Sequence, residues 1–122
     1  MNITPEEFFN TILEFLPSVV SAYNQSIEHY NQKLETVLIE DIIMPEIINL
    51  LCKETDIKLI KGIFDYFEEV SNFGDNHLLN IFSITALEIF GNDKEILKLA
   101  QKYMGPKTMK LQIEADRELG RL

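Results

Sequence analysis

A chain of 122 residues with 46 % hydrophobic and 25 % charged side chains has the size and balance of one globular domain, which excludes both disorder and two separate cores. Its net charge of −9 is unevenly held: residues 1–93 carry sixteen acids against four bases, a balance of −12, and residues 94–122 carry seven bases against four acids, a balance of +3. Such an acidic body repels nucleic acid and attracts basic partners, and Cys52, the single cysteine, excludes an intramolecular disulfide and fits a reducing compartment.

The first residues, Met1-Asn2-Ile3-Thr4-Pro5-Glu6-Glu7, carry no basic leader, and charge interrupts every apolar stretch. The expectation is one soluble cytoplasmic domain over residues 1–122, with no signal peptide and no membrane span. Thr4-Pro5-Glu6-Glu7 opens a helix: Thr4 can cap, Pro5 suits the first helical position and Glu7 can complete a capping box. Phe8, Phe9, Ile12, Leu13, Phe15 and Leu16 supply its apolar face, and Pro17 stops it. From Ser18 to about Gln32, Val19, Tyr23, Ile27 and Tyr30 recur at helical spacing. Leu34 to Lys53 is apolar with scattered acids, and Pro45 must kink it or split it in two. Glu40 and Asp41 in this stretch either rim an acidic surface or cap a helix beginning near Pro45.

Beyond Lys53 the punctuation is regular. Thr55-Asp56, Gly74-Asp75-Asn76 and Gly91-Asn92-Asp93 each offer a capping side chain, bounding helices over Ile57–Phe73, Asn76–Phe90 and Asp93–Tyr103. Ile63-Phe64 through Asn76 echoes Ile81-Phe82 through Asp93 at an offset of 17–18 residues, a helix plus a turn. Gly105-Pro106 closes the sixth helix, and Thr108 to Leu119 forms a charged last one. Nothing alternates as a strand does. The fold expected is all-α: a single-domain antiparallel helical bundle, or a short HEAT-like stack, of six to seven helices.

On a helical wheel Leu59, Ile60, Ile63, Tyr66, Phe67, Val70 and Phe73 point to the core, opposite Lys58, Lys61, Asp65, Glu68, Glu69 and Asn72. Asp75 extends that acidic ridge. A solvated face with a Lys61–Asp65 pair explains the ridge without function; a docking surface for a basic partner explains it together with the whole-chain charge. The helix Leu78–Phe90 is apolar almost all round and should be central, which makes Asn80 and Glu88 buried polar groups in need of partners.

Catalytic chemistry is not legible. His29 and His77 lack metal-ligand spacing, Cys52 on its apolar run reads as a buried inert thiol, and no phosphate-binding or nucleophile-elbow motif is present. No cofactor or metal is expected, and the protein is expected not to be an enzyme. The basic tail, Lys94, Lys98, Lys102, Lys107, Lys110, Arg117 and Arg121, most economically offsets the acidic helices it lies beside, or supports a homodimer through opposite charges.

Phe64-Asp65-Tyr66-Phe67-Glu68-Glu69, then Asn80 with Leu87-Glu88, and then Tyr103-Met104-Gly105-Pro106-Lys107-Thr108 resemble a family of small helical bacterial proteins of uncharacterised activity. Its members look like immunity or accessory proteins encoded beside polymorphic secreted toxins. The resemblance covers roughly the C-terminal half and implies a HEAT-like stack with an inhibitor-type binding role; it brings no catalytic motif. The function expected is an acidic immunity protein that blocks a basic toxin by steric and electrostatic occlusion. Asp65, Glu68, Glu69, Asn72 and Asp75 are the expected contact residues, Glu40 and Asp41 the second choices, and Tyr23 or Tyr30 the aromatic anchors. The alternatives are a helical scaffold or regulatory adaptor for another cellular protein, and an enzyme built on Glu88.

Overall fold

The computed structural model describes residues 2–122; Met1, the first residue of the expected domain, lies outside the described residues. Among the described residues, seven helices form an all-α bundle. Helix α1 is Pro5–Phe15, with Pro5 in its first turn and the Thr4 hydroxyl accepting the Glu7 amide at 3.2 Å. A 3-10 turn, Pro17–Val19, leads into the helix Val20–Tyr30, and together they make α2. The expected stripe on α2 runs from core to surface: Val19 and Tyr23 are buried, Ile27 is half-buried and Tyr30 is exposed. Helix α3 covers residues 35–53, α4 is Ile57–Phe73, α5 covers 76–91, α6 is Lys94–Gln101 and α7 is Pro106–Glu118. Asp56, Asp75 and Asp93 cap α4, α5 and α6 as their positions before each helix predict, accepting the amides of Leu59, Leu78, and Glu95 with Ile96.

Helix α3 runs unbroken over residues 35–53 and so is not split by Pro45. The proline has no amide hydrogen, and its ring crowds the carbonyl one turn back. The helix absorbs both effects by widening into a π-turn over Leu38–Ile43, where the Met44 amide reaches the Ile39 carbonyl. A second π-turn, Phe82–Leu87, lies in α5 and touches the first. There the buried Thr85 hydroxyl donates to the Ile81 carbonyl, competing for an acceptor of the regular ladder.

The core sits between α1, α3, α4 and α5. Phe8, Phe9, Phe64, Phe67, Phe82 and Phe90 are at most 1 % exposed. Their rings meet edge-on or tilted, with centroids 5.2 Å apart for Phe64–Phe67 and Phe67–Phe82, the arrangement that ring quadrupoles favour. Truncating one such ring to alanine costs about 3–5 kcal/mol. Helix α5 is central, as its apolar circumference predicts: Leu78, Ile81, Phe82, Ala86, Leu87 and Phe90 are all buried. The two echoed segments are not equivalent, since Ile63, Phe64, Ile81, Phe82 and Phe90 are buried while Phe73, the counterpart of Phe90, is 56 % exposed.

Two ties fix the chain ends to this core. The Ile3 amide donates to the Phe73 carbonyl at 2.7 Å, and the Asp75 amide donates back to the Ile3 carbonyl at 2.9 Å, strapping the N-terminal segment across the α4–α5 turn. Helix α7 docks mainly through polar groups. Gly105-Pro106 opens this helix rather than closing the previous one, and Gly105 has no side chain with which to cap it. Glu68, projecting from α4, supplies the cap: its Oε2 accepts the Lys107 amide and its Oε1 the Thr108 amide, each at 2.9 Å. Thr108 adds hydroxyl contacts to Glu68 at 3.0 Å and to Ser71 at 2.8 Å. Further along, Gln112 donates to the Leu87 carbonyl, and Arg121 donates to the Glu88 carbonyl at the C-terminal end of α5, where helix carbonyls lack partners of their own.

Candidate docking face

The expected α4 ridge divides into two kinds of residue. Asp65 and Glu69, four residues apart on one stripe, are exposed, and the anticipated Lys61–Asp65 ion pair does not form among the described residues. Glu68 departs from the expectation of a solvated side chain because α7 covers it. Burial alone would raise its pKa, but the Thr108 and Lys107 amides, the Thr108 hydroxyl and the Asn72 amide outweigh that effect and hold the carboxyl below its ordinary value. Asn72 is drawn into the same arrangement, donating to the Glu68 carbonyl at 2.9 Å. Asp75 is half-buried and spends an oxygen on the α5 cap.

Phe73, expected in the core, instead stands at the rim of a cleft. Its neighbours there are Asn2, Ile3 and Glu7 from the N-terminal strap and α1, and Glu69 from α4; the cleft volume is about 260 Å³. The Tyr66 hydroxyl is buried in the adjoining α1–α4 seam without a hydrogen-bond partner; Thr11 is its polar neighbour but falls short of hydrogen-bond geometry. Burial raises the Tyr66 pKa, and the negative charges of Glu69 and Glu7 raise it further. Two carboxylates from different helices therefore converge beside apolar surface.

The second-choice residues fall elsewhere. Glu40 and Asp41 lie within the first π-turn, both exposed, and neither caps the helix that follows. Asp41 joins Ala22, Gln25, His29, Tyr30 and Ile42 around a groove of about 320 Å³ between α2 and α3. Tyr30 is 45 % exposed there and can serve as an anchor, whereas Tyr23 is buried against Phe9 and cannot.

Three further expectations are corrected. Cys52 is exposed: the buried stripe of α3 runs through Met44, Ile47 and Leu51, and position 52 turns away from it. Asn80 is exposed, and Glu88 is only half-buried. The Glu88 carboxylate makes no ion pair among the described residues and does not line the neighbouring cleft of Gly91, Asn92, Lys94 and Asp116. What hydropathy missed is the buried polar seam of Ser71, Thr108, Gln112 and Asp116, whose last three members recur every four residues on α7.

The basic tail is partly consumed internally. Lys102 pairs with Glu54 at 3.1 Å and Arg121 with Asp116 at 3.5 Å. Glu54 accepts also from the Tyr103 hydroxyl at 2.8 Å, which ties the end of α3 to α6. Among the described residues no group of His, Cys, Asp and Glu is arranged to hold a metal ion, and no helix is long and apolar enough to cross a membrane.

The fold is that of a small all-helical bundle. The chain belongs to the family described as a domain of unknown function, DUF7674, whose match spans residues 9–120 and so extends well beyond the C-terminal half that carries the resemblance in sequence. No curated protein and no solved structure matches it significantly.

Proposed function

We propose that this is a non-enzymatic binding protein of the bacterial cytoplasm whose α1–α4 face docks a basic protein, and that the partner is a toxin it neutralises by occlusion. One observation carries the reading: Asp65 and Glu69 of α4 are exposed without a partner among the described residues, and Glu69 shares a cleft with Glu7 of α1 and the exposed Phe73, whereas Glu68 and Asp75 are spent on helix caps. An apolar anchor ringed by like charge suits an interface that is steered electrostatically and closed by desolvation. Co-expression with the protein encoded by the adjacent reading frame tests this. Growth inhibition relieved by the wild-type chain, and no longer relieved by Asp65→Lys/Glu69→Lys, is the expected outcome. Relief that survives the double reversal contradicts the assignment of the face. A neighbour that inhibits nothing yet binds the same face supports the scaffold or adaptor function instead.

A further inference from the structure

We infer that the cleft between Glu7, Glu69 and Phe73 is a receptor for one arginine side chain of a protein partner. The inference rests on the docking role proposed for the α1–α4 face and names the chemistry that the face selects.

The cleft has the mixed character of a guanidinium on an aliphatic stem. Ile3 and the 56 %-exposed Phe73 offer apolar surface, and Glu7 and Glu69 offer carboxylates from two helices. Among the described residues neither carboxylate has a cation to pair with. At about 260 Å³ the cleft suits a single long side chain rather than a helix or a cofactor. A planar guanidinium can donate to two carboxylates at once while its face lies on an aromatic ring; a lysine ammonium has neither property.

The cleft is also preformed. The paired backbone bonds between Ile3 and the Phe73–Asp75 turn hold both of its apolar walls, so binding orders little of the backbone. Tyr66, 9 % exposed, does not line the cleft, but both glutamate charges act on its hydroxyl from the α1–α4 seam, which places the two carboxylates on the same side of that seam. The groove at Tyr30 and Asp41 presents one carboxylate and lacks this convergence.

Amide chemical shifts of the full chain, followed while N-acetyl-arginine amide is titrated at constant ionic strength, test the proposal. Saturable shifts confined to Ile3, Glu7, Glu69 and Phe73 are expected. Glu7→Gln/Glu69→Gln should weaken them about tenfold, the scale of one charge-assisted hydrogen bond, and Phe73→Ala should weaken them about threefold. Glu114→Gln/Glu118→Gln, at exposed positions of α7 that line no part of the cleft, should change nothing. The proposal is overturned if shifts spread evenly over every exposed carboxylate, if the double glutamine variant binds as well as wild type, or if N-acetyl-lysine amide or N-acetyl-leucine amide binds equally. Arginine-specific binding by a chain that fails the co-expression test would leave the receptor standing and remove the toxin. A partner engaging Asp65 while the cleft stays silent would do the reverse.

Discussion

The carboxyl group of Glu68 occupies the space that a side chain on Gly105 would need: a Cβ built at Gly105 falls 2.5 Å from Glu68 Cδ. Gly105 has φ −77, which any residue can adopt, so its lack of a side chain serves close approach rather than backbone freedom. The approach lets a carboxylate from α4 reach the first amides of α7, where helix N–H groups lack partners and the dipole favours negative charge. The Gly-Pro-Lys-Thr run thus reads as a socket: space from Gly105, a first-turn residue from Pro106, and donors from Lys107 and Thr108.

Removing the cap should destabilise the protein while leaving Glu7, Asp65 and Glu69 in place. Glu68→Ala should cost about 2–3 kcal/mol, since it strips charge-assisted bonds from two amides and a buried hydroxyl. Glu68→Gln, which retains one acceptor oxygen, should cost about half as much. Urea unfolding midpoints at neutral pH measure both.

The same geometry predicts coupling. Gly105→Ala should cost about 1–3 kcal/mol in the wild-type chain, because Glu68 must move and surrender its bonds to make room. In a Glu68→Ala background most of that penalty should vanish, a positive interaction that a double-mutant cycle reads directly. Equal costs in both backgrounds would show that the two residues act independently.

Acid should expose the cap as well. The pKa of Glu68 lies below its ordinary 4.5, so its contribution is complete above that value and is lost as pH falls through the lower folded-state value. Wild-type stability should therefore decline, as pH falls below the ordinary carboxylate value, more steeply than that of Glu68→Gln, whose side chain does not titrate. Denaturant midpoints across that range, compared between the two proteins, give the difference.

A second pair has the opposite sign. His77 Nε2 donates to Glu35 Oε1 at 2.7 Å, and that bond together with the carboxylate charge raises the imidazole pKa above 6.5. The tie between α3 and α5 is fully present below 6.5 and weakens as pH rises through the raised value. Both groups are solvent-accessible, so the effect on global stability should be slight, but an NMR titration of His77 should move to lower pKa in Glu35→Gln.

How much of this was legible depends on whether the determinant is local. Thr4, Asp56, Asp75 and Asp93 cap from one residue before their helices, and the limits of α4 follow from Asp56 and Gly74 alone. Glu68 failed because a wheel displays one helix without its neighbours: the side opposite the core of α4 meets α7 for part of its length and solvent for the rest. Phe73 left its expected place in the core for a related reason, as it lies in the last turn of α4, while Phe64, which the wheel assigned to neither face, is buried against Phe67 and Phe90. Thr108, Gln112 and Asp116 keep helical spacing, so the stripe was readable; being polar, it did not register as core. The π-turn at Pro45 had its cause in the sequence but not its form. Of the candidate face, Asp65 and Glu69 were visible on the wheel, and Glu7 was not, since only the tertiary fold brings α1 alongside α4.

The claim on which the functional reading turns is that Glu7 and Glu69 act on a basic partner while Glu68 acts on the fold. The most direct measurement is the association rate constant of that partner with wild type and with Glu7→Lys/Glu69→Lys, taken at low and high salt beside the Tm of each protein. Loss of about tenfold or more in association rate at low salt, shrinking at high salt and with Tm nearly unchanged, is the predicted result. An association rate that the double reversal leaves unchanged at low salt would contradict it.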